Sequence, residues 1–83
     1  MEEQDKQEPT FGMKAVGIDF NPSGDPNVNR IKMQCANIID TLEEFRQRAI
    51  VSADTEKVHM YSIAITDIQS GQMWGVKAVT WKY

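Results

Sequence analysis

The sequence predicts an all-α fold: an antiparallel two-helix hairpin with a short N-terminal arm, which assembles into a homo-oligomer. Apolar residues recur at helical spacing through two long segments. Only residues 52–54 separate these segments, and a connection this short makes two helices antiparallel neighbours. The chain has 83 residues and a single cysteine, so no internal disulfide can stabilise its small core.

The N-terminal residues are expected to contribute little regular structure. Residues 1–12 are expected to form a disordered or flexible tail, because the first residues are almost wholly polar. The hairpin domain then covers 13–83, and its arm covers 13–24. In the arm, Val16 and Ile18 alternate with small or polar residues, which favours an extended segment. A third helix that caps the hairpin is the alternative, and the glycines and proline nearby argue against it.

The first helix of the hairpin is predicted over 25–51. Asp25 can accept hydrogen bonds from first-turn amides, and Pro26 stands where a missing N–H costs nothing. Apolar residues then recur at alternating steps of three and four, the pattern of a narrow packing seam: Val28, Ile31, Cys35, Ile38, Leu42, Phe45 and Ala49. Asp40 and the pair Glu43 and Glu44 lie off this seam, where a solvated face is expected.

The second helix is predicted over 53–82, with Ser52 and Asp54 as candidate N-caps. One register of this helix is mostly apolar: Val58, Tyr61, Ile65, Ile68 and Val79. Gln72 and Gly75 interrupt that register. Its boundaries depend on cap chemistry alone, because no glycine or proline marks the connection.

A separate face of the second helix predicts self-association. Glycine inside a helix costs about 1 kcal/mol relative to alanine, so a close contact must compensate for it. The small residues would let a second subunit approach closely, and the tryptophans would pack that junction. The predicted oligomer interface comprises Gly71, Trp74, Gly75, Ala78 and Trp81. A hairpin alone cannot bury this many apolar faces.

The ends of the hairpin differ in charge and suggest where a ligand binds. Antiparallel pairing brings Arg30 and Lys32 near Lys77, with several aromatic residues close by. Acidic residues concentrate at the other end, so a basic, aromatic open end and an acidic closed end are expected. Phosphates favour cations near helix N-termini, and purines favour aromatic faces. A small cyclic nucleotide bound between subunits would suit this pattern.

Other function classes are disfavoured. No histidine–nucleophile–carboxylate set or glycine-rich phosphate loop is present, so no catalytic residue is predicted. Neither His59 nor Cys35 has a partner at metal-ligand spacing, and no metal or cofactor is expected. The net charge of −3 argues against binding DNA or RNA polymers. No apolar run approaches the roughly 20 residues of a membrane span, so no membrane partner is expected.

Three segments carry a family resemblance. Residues 20–32 (FNPSGDPNVNRIK), 64–66 (AIT) and 72–80 (QMWGVKAVT) together make the chain similar to the phage anti-CBASS sponges. This family shares a hairpin domain with the phage anti-Thoeris sponges. The resemblance implies a homohexamer in the cytosol of the infected host cell that sequesters cyclic dinucleotides and cyclic trinucleotides without cleaving them.

The resemblance also implies which residues hold the ligands. Members bind cyclic dinucleotides between paired subunits, with an aromatic ring on a base and a lysine on the phosphates. Here Phe20 and Lys32 correspond to these roles, and Pro22 and Arg30 lie in the same segment. A second pocket, near a three-fold axis, takes cyclic trinucleotides. The second-helix motif implies that Lys77, Ala78 and Thr80 line it.

Two alternatives remain open at this point. The same domain could sequester the cyclic ADP-ribose signals of Thoeris defence, and the residues above do not separate the two ligand classes. The chain could also be a purely structural helical oligomerisation or adaptor module. Titration with nucleotides distinguishes the sponge hypotheses from the structural one.

Overall fold

The computed structural model describes residues 8–83 and contains three helices and no strand in that range. Helix α1 spans Phe11–Val16, α2 spans Pro26–Val51 and α3 spans Thr55–Val79. The predicted all-α class is therefore confirmed, with one more helix than expected. No helix in the described range is long and apolar enough to cross a membrane.

Helices α2 and α3 form the predicted antiparallel hairpin. Near the connection, the rings of Phe45 and Tyr61 lie with their centroids 6.0 Å apart. At the opposite end, Gly75 lies against the side chain of Ile31. Early residues of one helix thus face late residues of the other, as an antiparallel pair requires.

The helix ends follow local cap chemistry. Asp25 accepts a hydrogen bond from the amide of Asn27 at 2.8 Å, so α2 begins as predicted. Helix α3 begins later than predicted, because Ala53 has a left-handed backbone with φ of 59° and Asp54 serves as N-cap. It also ends before residue 82, since Thr80 is the C-cap residue and its hydroxyl donates to the Val76 carbonyl.

The prediction of an extended N-terminal arm is wrong, because Phe11–Val16 is helical. Thr10 caps this helix by accepting from the amide of Met13 at 3.1 Å. Gly17 ends it in the left-handed conformation with φ of 62°, the usual role of a C-terminal glycine. The predicted tail extended to residue 12, whereas only residues 1–7 lie outside the described part of the chain.

Helix α1 packs on α2 through a backbone contact. A Cβ atom at Gly12 would overlap the carbonyl group of Ala36, so only glycine permits this approach. The amide of Gly12 donates to Asp40 Oδ1 at 2.6 Å, and Gln69 Nε2 donates to the Ala15 carbonyl at 3.2 Å. Polar groups from both long helices therefore hold α1 in place.

The contact with α1 gives α2 a second buried face beside the predicted seam, of which Val28 and Ala49 are themselves buried. The core cluster between the three helices consists of Val16, Ala36, Ile39 and Ile65. Ala36 and Ile39 were outside the predicted seam, whereas Ile38 belonged to it and is 48% exposed. The partly buried Cys35 packs against this core, and burial raises the pKa of its thiol.

The acidic residues near the closed end are not simply solvated. Asp40 binds α1, as described above. Glu43 accepts hydrogen bonds from Arg46 at 2.7 and 3.2 Å, and this contact holds the pKa of Glu43 below its ordinary value. Glu44 pairs with Arg48 at 2.6 Å. These arginines offset much of the negative charge expected at this end.

Candidate functional site

Lys32 anchors the loop that follows α1. Its ammonium group donates to the carbonyl oxygen of Gly17 at 2.8 Å and also to that of Phe20. The lysine is only 5% exposed, an unusual degree of burial for a cation. Two of its three N–H donors are thus used within the chain. Among the described residues nothing accepts from the third, which remains available to another acceptor.

Phe20 projects outward from this anchored loop. Its side chain is 71% exposed, and its ring centroid lies 5.6 Å from Lys32 Nζ. The structure therefore places next to each other the aromatic ring and the cation that the sequence singled out. Their relative position is fixed by the hydrogen bond between the Lys32 ammonium and the Phe20 carbonyl.

These two residues line an open groove between the α1 region and α3, which we call the Phe20 groove. Its volume is about 490 Å³, within the usual range for ligand pockets. Its lining combines polar and apolar residues from all three helices and the loop after α1: Lys14, Ala15, Val16, Gly17, Phe20, Lys32, Gln69, Gln72, Met73 and Val76. Two lysines thus flank one groove that also contains an exposed aromatic ring.

Arg30 lies in a different groove. Positions 30 and 32 are about 200° apart around a helix, so their side chains leave α2 in nearly opposite directions. The second groove, which we call the Arg30 groove, has a volume of about 470 Å³. Its lining comes from the start of α2 and the end of α3: Asp25, Asn27, Arg30, Ile31, Gln34 and Val79. The predicted single cluster of cations is therefore divided, with Arg30 and Lys32 in separate grooves and Lys77 in neither.

Pro22 is exposed in the turn that joins the loop to α2. Asn21 Nδ2 donates to the Asp25 carbonyl at 3.0 Å, and Ser23 Oγ donates to Asn21 Oδ1 at 2.7 Å. Gly24 has φ of 72°, which only glycine adopts readily. The turn is thus locally fixed, and Pro22 lines neither of the two grooves.

The second-helix residues of the predicted trinucleotide pocket lie elsewhere on α3. Lys77 Nζ lies over the rings of Trp74 and Trp81, at 6.0 and 5.3 Å from their centroids. Ala78 is exposed, and Thr80 is the C-cap residue of the helix. These residues line neither the Phe20 groove nor the Arg30 groove.

The residues of the predicted interface divide into two sets. Gly71, Trp74 and Ala78 are exposed at steps of three and four along α3, and Trp81 is exposed just beyond the end of the helix. Gly75 faces inward instead, where a Cβ would meet Ile31 of the same chain at 3.5 Å. The exposed set therefore presents two large aromatic rings and two small residues on one side of the protomer.

The site contains residues that sequence reasoning did not select. Lys14, Gln69 and Met73 line the Phe20 groove, and so does Gln72, which is only 6% exposed. For Gln72 a signal was available, because it interrupts the apolar register of α3. A polar residue in a buried register calls for a reason beyond packing.

A comparison with known protein families shows which family the chain belongs to. The family model described as Acb2/Tad1, hairpin domain, matches residues 13–80. The chain belongs to this family. The match includes the anchored loop, both grooves and the long helices of the hairpin. Neither the curated proteins nor the solved structures produced a match to the chain. The Acb2/Tad1 family is a sponge family, so a ligand-binding function is the appropriate framework for this site.

Proposed function

We propose that this chain is a non-catalytic phage sponge that binds cyclic di- and trinucleotide second messengers and so blocks CBASS defence. The carrying observation is the pairing of Phe20 and Lys32 at the Phe20 groove, with Nζ 5.6 Å from the ring centroid. Membership of the Acb2/Tad1 hairpin family supports the same function class. The protein would act in the cytosol of the infected cell.

The Phe20 groove has the chemistry that a cyclic dinucleotide needs. An exposed aromatic ring offers a stacking face to a nucleobase, and every base has a face that can stack. Lys14 and Lys32 provide two positive charges at the groove, which matches the two phosphates of a cyclic dinucleotide. Lys32 can give its remaining N–H to a phosphate oxygen without releasing the loop carbonyls.

A second ligand position would require the oligomer. Lys77, Ala78 and Thr80 lie on α3 outside both grooves, so a trinucleotide pocket there would need neighbouring subunits. The exposed face of Gly71, Trp74, Ala78 and Trp81 is the proposed surface for that assembly. A homohexamer is the proposed state, and Gly75 would support it indirectly by keeping α3 close to α2. Arg30 and Pro22 lie outside the Phe20 groove, so they would contact a ligand only across a subunit boundary.

A sponge for cyclic ADP-ribose signals is the second candidate. The matched family description names Acb2 and Tad1 together, which is consistent with a hairpin domain that anti-CBASS and anti-Thoeris sponges share, and this favours the alternative. Cyclic ADP-ribose also carries a base and two phosphates, so it presents similar groups to Phe20 and Lys32.

Calorimetric titration of the full chain tests the proposal. Cyclic dinucleotides, cyclic trinucleotides and cyclic ADP-ribose isomers are titrated separately, and saturable heat with a cyclic oligonucleotide is expected. Heat with cyclic ADP-ribose alone favours the second candidate. Absence of heat with every compound leaves the structural module as the better explanation. Mass spectrometry of ligand released by heating should return it unaltered, whereas a cleaved product would indicate an enzyme.

A pair of aromatic variants locates the stacking ring. Phe20→Ala removes an exposed ring from the groove, so dinucleotide affinity should fall by about 5- to 100-fold while stability changes little. Phe11→Ala is the matched control, because Phe11 is also exposed and lines neither groove. A loss of affinity with Phe11→Ala and none with Phe20→Ala would show that Phe11, and not Phe20, stacks on the base.

A further inference from the structure

Gln72 is a buried polar residue with an unusual environment. Only 6% of it is exposed, and it lies in the inward register of α3 between Ile68 and Gly75. Among residues 8–83, no hydrogen bond engages its side-chain amide. Gln69, one turn earlier, differs in this respect, because its amide donates to the Ala15 carbonyl at 3.2 Å.

An unpaired amide is unfavourable at this position. A glutamine side chain has two N–H donors and a carbonyl acceptor, and nearly all such groups find partners when buried. An apolar side chain would continue the register of α3 and would fill the space without that cost. The chain therefore retains at position 72 a hydrogen-bonding group that its own described residues do not use.

Gln72 lines the Phe20 groove, together with Phe20 and Lys32. If the ring stacks on a base and the lysine binds a phosphate, the edge of that base is what remains to be contacted. A glutamine amide places a donor beside an acceptor, and it pairs with adenine by accepting from N6 and donating to N7. The corresponding N7/O6 edge of guanine presents two acceptors and matches less well.

We propose that Gln72 recognises the base edge in the Phe20 groove and favours adenine there. This inference rests on the proposed nucleotide-binding function and names the residue that sets its base preference. Phe20 alone would accept any base, because stacking is tolerant of base identity. Lys32 would hold any phosphate equally. Gln72 brings to the groove a donor and an acceptor that no described residue uses, and these can distinguish one base from another.

The test compares 3′,3′-cyclic di-AMP with 3′,3′-cyclic di-GMP by calorimetry, on the wild-type chain and on Gln72→Leu. The wild type should bind cyclic di-AMP more tightly. Gln72→Leu should lose about 5- to 100-fold in affinity for cyclic di-AMP and much less for cyclic di-GMP, so the preference collapses. Gln47→Leu is the control, since Gln47 lies near the closed end and contacts Glu43. It should leave both affinities unchanged.

Thermal unfolding of the same variant provides an independent readout. Removal of an unpaired amide from a buried position should leave Tm unchanged or raise it by up to about 8 °C. A marked fall in Tm would show that the amide has a structural partner and would overturn the inference. An unchanged preference in Gln72→Leu, or no preference in the wild type, would overturn it while leaving the sponge function intact. Absence of binding by the wild type to any nucleotide would instead overturn the proposed function, and this inference with it.

Discussion

Gly12 of α1 and Ala36 of α2 pack backbone to backbone, so closely that any side chain at position 12 would overlap the Ala36 carbonyl. The Gly12 amide also donates to Asp40 at 2.6 Å. This contact seats α1 on the hairpin and buries Val16 in the core. Because α1 and the loop after it form one wall of the Phe20 groove, the groove depends on a contact made away from it.

Gly12→Ala should therefore detach or displace α1. Overpacking of a tight contact typically costs about 1–3 kcal/mol, and we expect a loss of that size in the free energy of unfolding. Urea denaturation followed by circular dichroism measures it. Gly75→Ala is the control, since its Cβ would meet Ile31 at an ordinary 3.5 Å. That variant should be neutral or stabilised by up to about 1 kcal/mol. Equal stabilities for the two variants would contradict the backbone contact.

Lys32→Met should destabilise the loop as well as weaken ligand binding. The substitution keeps an apolar side chain of similar length but leaves the carbonyls of Gly17 and Phe20 without their donor. We expect a loss of about 1–3 kcal/mol in unfolding free energy. Hydrogen exchange should also accelerate at the amide of Phe20, which donates to Gly17 within the same loop.

Lys77→Met is the control for the effect of Lys32→Met on the free energy of unfolding. Lys77 contacts the faces of Trp74 and Trp81 at the protein surface, and such exposed cation–π contacts contribute about 0.5–1 kcal/mol. Lys77→Met should therefore lower the free energy of unfolding less than Lys32→Met does. A larger loss with Lys77→Met would contradict the anchoring role of Lys32.

Gly71→Ala separates folding from assembly. Within the protomer a Cβ at position 71 would meet nothing within 4 Å, so helicity should be retained or increased. If Gly71 allows a second subunit to approach closely, the added methyl group should lower the mass measured by light scattering. An unchanged mass would remove Gly71 from the proposed interface, and a monomeric wild type would remove the interface itself.

Stability should depend on pH through Glu43. The hydrogen bonds from Arg46 hold the pKa of Glu43 below its ordinary value, so the folded state favours the ionised carboxylate. This contribution is present above the unfolded pKa and is lost as the pH falls through the lower, folded value. It should amount to no more than about 1 kcal/mol.

The measurement for Glu43 is the difference in unfolding free energy between pH 7 and pH 3. Glu43→Gln should show a smaller difference than the wild type. Glu44→Gln serves as the control, because the pair of Glu44 and Arg48 is largely exposed. If both variants reduced the pH dependence equally, the contact with Arg46 would not be its source.

The hairpin could be predicted because its signals are local. Asp25 and Pro26 mark the start of α2, and apolar periodicity continues through both long helices. Helix α1 was missed because glycine has more than one role. Gly12 permits a close helix contact and Gly17 ends the helix, whereas in the sequence alone both argue against a helix. Only the neighbouring α2 backbone distinguishes these roles.

Only part of the candidate site could be predicted, because the site also depends on helix α1. Sequence reasoning selected Phe20 and Lys32, and the structure places them together. It also grouped Arg30 with them, although helical geometry sends that side chain to the other groove. Lys14 and Gln72 could not be assigned to the groove without α1, since the fold of α1 is what forms the opposite wall.

The three-residue connection between α2 and α3 has a consequence for how quickly the protein becomes available. Each helix packs on the helix next to it in sequence, and proteins with such local contacts fold in about microseconds to milliseconds. A sponge removes its ligand one molecule per site and gains nothing from turnover. The amount of ligand removed is then limited by how fast newly made chains fold into binding sites. Stopped-flow refolding would show whether folding delays the formation of these sites.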